Sequence, residues 1–132
     1  MKRGAASQER SFTLGASLRA LPVARRAVDA ALWHLGHDPV ERAQIAVNEL
    51  VVNAITHGDL RPSDAIVLHI TATDDTGRVE VKQATQAHAQ PRVSRDPGHG
   101  VGLRIVSSLA DDWGCDAGPP GVVWFEVRSA VA

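Results

Sequence analysis

Glu49, Asn53 and His57 stand four residues apart, the interval that stacks side chains on one face of an α-helix. A carboxylate at such a place can take up a proton, and a carboxamide oxygen can ligate a hard cation. Glu49 and Asn53 interrupt an apolar run from Ile45 to Ile55, where polar groups are costly unless paired, solvated in a cleft or bound to an ion. The same stripe also reads as the solvent side of an amphipathic helix whose buried side is Leu50, Val51, Ala54 and Ile55. A second chemistry-bearing stretch is Gly98-His99-Gly100-Val101-Gly102. Glycines ahead of a helix leave backbone N–H groups and the positive end of the helix dipole facing an anion, which suits phosphate. Taken alone they equally fit a flexible loop. The spacing is G-x-G-x-G with no Gly-Lys-Ser/Thr ending, so it is neither the dinucleotide fingerprint nor a P-loop.

The elements that hold these residues follow from the periodicity. Residues 11–14 alternate as a short strand does. A helix is expected over 17–35, with Ser17 as N-cap, Leu18, Leu21, Val28, Ala31, Leu32 and Leu35 at helical spacing, and Gly36 at its end. Asp38-Pro39 reads as N-cap and first residue of a second helix that carries Glu49, Asn53 and His57 and stops at Gly58. Strands over 65–73 and 78–83 form a hairpin through Asp75-Thr76-Gly77. Periodicity is lost over 84–97, and a helix over 103–110 and a strand over 122–127 complete the chain. The expected fold is a two-layer α/β (α+β) sandwich, a mixed, mostly antiparallel sheet with helices on one face. One domain over 10–130 follows a disordered tail of residues 1–9.

Bulk properties narrow the function. With 14 basic and 15 acidic residues among 132 and a formal charge of -1, no electrostatic footprint for nucleic acid is present. No run approaches the ~20 apolar residues of a membrane span. A lone cysteine, Cys115, and the lack of a leader-like segment point to the cytoplasm. Cys115 reads as core, and Trp33, Trp113 and Trp124 read as packing anchors.

Together, the run from Glu49 to Gly58 (ELVVNAITHG) and the run from Gly98 to Val106 (GHGVGLRIV) resemble the N-box and second glycine box of the histidine-kinase-like ATPase superfamily (GHKL, the Bergerat fold). The Ala-Asp-Asp-Trp-Gly stretch at 110–114 and Val-Trp-Phe-Glu at 123–126 look like bacterial anti-sigma factor serine/threonine kinases. The resemblance covers residues 11–128. It implies a site for ATP and Mg²⁺, with Glu49 as general base and Asn53 as Mg²⁺ ligand. The nucleotide would also meet His57, Gln83, Gly98, Gly100, Val101, Gly102, Leu103 and Arg104, under a lid formed by 84–97. It further implies a sigma factor and a small antagonist protein as partners, transcription regulation as the outcome, and leaves a homodimer open.

Three positions depart from the family pattern. Gln83 stands where an Asp reads the adenine amino group, with Thr85 in place of the following glycine, and Val122 stands where a Thr supports that Asp. Two readings follow: a protein kinase, or a regulatory module that has kept the fold, binds ATP weakly or not at all, and acts by sequestering a partner.

Overall fold

The computed structural model describes residues 7–58, 60–83, 101–116 and 121–130. The expected lid, Gly98, Gly100, Thr85 and residues 1–6 lie outside them. Strand β1 (Gln8–Gly15) leads into helix α1 (Ala20–Leu32), a 3-10 turn (Trp33–Leu35) and helix α2 (His37–His57). Strands β2 (Ala65–Ala72) and β3 (Thr76–Gln83) follow, then α3 (Val101–Leu109), β4 (Asp112–Asp116) and β5 (Val122–Arg128).

The strands form one sheet in the order β1-β2-β3-β5-β4. All four pairings are antiparallel, in keeping with the mostly antiparallel sheet expected. Burial alternates strictly along β2 and β3, which puts Ile66, Leu68, Ile70, Val79 and Val81 on the face that receives the helices. Phe125 and Val127 extend that face on β5, while Val28, Leu32, Leu35, Val47, Leu50, Val51, Leu103 and Val106 come down from the helical layer. Ala24 and Ala27 on α1 and Ala43 and Ala46 on α2 are buried, small side chains that let the two packed helices approach closely.

Three boundaries differ from the periodicity. β1 starts at Gln8, so part of the stretch read as tail is sheet. The first helix ends at Leu32 and tightens into the 3-10 turn, which drives Leu35 into the core with no exposure. Gly36 then turns the chain at φ 107, a conformation that favours glycine, and it caps α2 in place of Asp38. Asp38 lies instead in the first turn, where its carboxylate accepts a hydrogen bond from Arg42 Nε at 2.9 Å and suits the helix dipole.

Strand β4 was not anticipated. Its sequence, Asp-Trp-Gly-Cys-Asp, is poor in β-formers, and pairing with β5 supplies what propensity does not. At Gly114 a Cβ would press on Trp124 Cζ2 at 2.7 Å, so the glycine admits the indole of the strand opposite. Cys115 is exposed on this edge strand and not in the core.

The other face of the sheet carries no helix among the described residues. Arg78 there donates to Glu80 at 2.9 Å and to Glu126 at 3.1 Å and lies over the Trp124 ring at 4.0 Å. Desolvation works against its charge, but the hydrogen bonds to Glu80 and Glu126 outweigh it and raise its pKa.

Candidate functional site

Glu49 and Asn53 follow each other by four residues on the C-terminal half of α2, and both are half-buried. The adjacent Leu50 and Val51 are fully buried and fix the helix rotation. Asn48 makes a useful contrast: its Oδ1 accepts from Arg25 Nη1 at 3.1 Å, a tie to α1. Glu49 and Asn53 have no hydrogen-bond or ion-pair partner among the described residues, and no buried side-chain N or O there lacks one. Both side chains remain partly exposed within an otherwise apolar layer, and their oxygens carry lone pairs that can serve a ligand.

The far end of this helix meets the end of β3. Gln83 is buried at 8% exposure, and a Cβ on Gly58 would run into its carboxamide. Gly58, the C-cap of α2, is thus what lets the Gln83 side chain lie against the helix end. The rise of an α-helix sets that contact roughly 7 Å beyond Asn53 along the axis. The family-pattern Asp position is accordingly filled by a packed carboxamide, with a donor and an acceptor where a carboxylate offers acceptors only.

Val122 stands elsewhere. Its register partner is Lys82, and the alternation along β5 leaves it half-buried between the buried Gly121 and Val123. Its side chain projects from the sheet face opposite that of Gln83, so a missing hydroxyl at 122 does not bear on this end of the site. This corrects the pairing of the departures at Gln83 and Val122 expected from sequence.

Helix α3 packs on α2 and sinks Leu103 and Val106 into the core. Arg42 Nη1 donates to the Leu109 carbonyl at 2.6 Å, which holds the C-terminal end of α3 beside the N-terminal half of α2. The first turn of α3 lies at the other end of that contact. The Leu103 side chain belongs to the core, whereas Arg104 is exposed. Val101 and Gly102 are the first two residues of α3, and His57 is the last of α2; the side chains of Val101 and His57 lie outside the described residues.

A sequence profile of the histidine kinase-like ATPase domain matches residues 14–124. The chain belongs to that family. Among solved structures, this histidine kinase-like ATPase domain has a fold similar to part of the chain in the crystal structure of the RsbU and RsbW domains of Rv1364c from Mycobacterium tuberculosis. The identity is 20%, the TM-score 0.68 and the coverage 92% of this chain. This chain spans 32% of that one, about a third of its length. No curated protein matches the sequence significantly. Within the ATPase domain, no group of three His, Cys, Asp or Glu able to hold a metal occurs among the described residues. Mg²⁺ characteristically needs only one or two protein ligands and takes the rest from phosphate and water. The unpartnered Asn53 carboxamide and Glu49 carboxylate are hard donors that fit such a cation.

Proposed function

We propose that this domain is an ATP-binding serine/threonine protein kinase of the anti-sigma factor type, which binds a sigma factor and phosphorylates a small antagonist protein. The observation that carries the reading is the pair Glu49 and Asn53, side by side on α2, half-buried and without protein partners among the described residues. Asn53 would hold Mg²⁺ through its side-chain oxygen, and the backbone of residues 98–102 with the first turn of α3 would receive the phosphates. MgATP supplies the transferable phosphoryl group when bound. Glu49, one helical turn away, takes the proton from the substrate hydroxyl at a carboxylate oxygen. The adjacent Leu50 and Val51 are buried in the core and fix the rotation of the helix that carries it. The cytoplasm is the compartment that suits such a partner set.

One observation favours a second reading, a regulatory module that binds partners with little use of ATP. The Gln83 carboxamide is buried against Gly58, so reading an adenine amino group would rest on its single carbonyl oxygen in place of a carboxylate. Replacing a charge-assisted hydrogen bond by a neutral one costs about 1–2 kcal/mol, or roughly 5- to 30-fold in affinity. Calorimetric titration with MgATP, ADP and GTP, with Asn53→Ala beside the unaltered chain, separates the two. Micromolar MgATP binding that Asn53→Ala abolishes is the expected result; no heat at millimolar nucleotide would overturn the kinase reading and leave the module.

A further inference from the structure

Trp33, expected to be a packing anchor, is 71% exposed. It is nevertheless held in place. Its backbone belongs to the 3-10 turn, bounded by buried Leu35 and by Gly36 at φ 107. Its ring meets the His34 ring edge-on, at 6.3 Å between centroids and 84° between planes, and His34 Nε2 is hydrogen-bonded to the Thr73 carbonyl at 2.7 Å. An indole fixed in this way projects from the surface at little further cost in conformational entropy, the property that makes aromatic side chains binding anchors.

Open hollows lie on both flanks of the ring. The one between α1 and α2 has a volume of about 390 Å³ and is lined by Asp29, Trp33, His37, Val40, Glu41 and Gln44. Val40 contributes a buried apolar side chain to that lining. Neither the Asp29 nor the Glu41 carboxylate has an ion-pair or hydrogen-bond partner among the described residues. An electron-rich ring face beside two unpaired carboxylates is complementary to a cation with an apolar stem, and a guanidinium or ammonium over Trp is the strongest of the side-chain cation–π pairs.

We propose that this hollow is a docking site for a protein partner, and that it receives an arginine or lysine side chain laid against the Trp33 ring with its charge between Asp29 and Glu41. The site sits at the start of α2, whereas Glu49, Asn53 and Gln83 occupy its second half and far end, so the inference stands apart from any nucleotide reading.

The test is a ¹⁵N-correlation titration of the full chain with acetyl-Gly-Arg-Gly-amide, its neutral citrulline isostere and its glutamate counterpart. The arginine peptide is expected to shift the Trp33 indole N–H and the amides of residues 29–44 saturably in the millimolar range, and the other two peptides are not. The exposed double substitution Asp29→Asn with Glu41→Gln should weaken the arginine response about ten-fold, and Trp33→Ala should remove it, as expected for loss of a cation–π pair and its flanking charges. An equal response to citrulline, no saturable shift at Trp33, or retention in both variants overturns the proposal. Concentration-dependent shifts of the Trp33 signal without peptide would also overturn it, since they would assign the face to a second copy of the chain.

Discussion

At Glu49 and Asn53 two side chains one turn apart have separable duties. Glu49→Gln removes the proton acceptor but keeps the shape, and is expected to slow phosphoryl transfer about 10²- to 10⁴-fold with MgATP affinity little changed. Steady-state transfer from labelled ATP, measured beside calorimetric binding, checks this; undiminished transfer would remove Glu49 from the role of base. Cys115 is a further test at this scale. Partial desolvation, and secondarily the nearby Asp116 carboxylate, push its thiol pKa up. Alkylation requires the thiolate, so its rate in the folded chain should reach half-maximum at a higher pH than in the chain unfolded in urea. A midpoint at lower pH would contradict the environment seen on β4.

Elements depend on contacts that single residues permit. At Gly77, the second residue of β3, a Cβ would stand 2.5 Å from Leu32 Cδ2 and 2.8 Å from Cδ1. Leu32 is wholly buried at the end of α1 and has no free space to retreat into. Gly77→Ala is therefore expected to cost about 1–3 kcal/mol by overpacking. Gly15, where a Cβ meets only the Pro62 carbonyl at 3.9 Å, is the control, and Gly15→Ala should stay within about 0.5 kcal/mol. Urea denaturation with an unchanged slope checks both. Equal effects at the two positions would mean that Leu32 does not lock α1 onto the sheet as described.

For the whole molecule, nucleotide binding and folding are linked. A ligand at about 100 times its Kd adds roughly 2.7 kcal/mol to stability, which for a domain of this size raises the melting temperature by about 8–14 °C. MgATP should produce that shift in the unaltered chain and none in Asn53→Ala. A shift equal in both would place the nucleotide away from α2. The docking face at Trp33 lies at the opposite end of the same helix, so a partner held there would leave the nucleotide end of α2 uncovered.

The sequence by itself determined the helix that carries Glu49 and Asn53, the β2–β3 hairpin, β5 and the layered class of the fold, because those depend on periodicities of 3.6 and 2 that local residues set. It also determined that Glu49 and Asn53 share a face, a consequence of spacing alone. Tertiary structure decided what spacing leaves free. β4 exists because β5 offers it a partner, although Asp, Gly and Asp oppose a strand. The break after Leu32 follows from the demand that Leu35 reach the core. The separation of Val122 from Gln83 comes from strand register, which sends neighbouring positions to opposite faces of the sheet. The exposure of Trp33 is of the same kind: hydrophobicity predicts burial, but the direction of the 3-10 turn and of Gly36 turns the ring outward, and no local pattern encodes that direction.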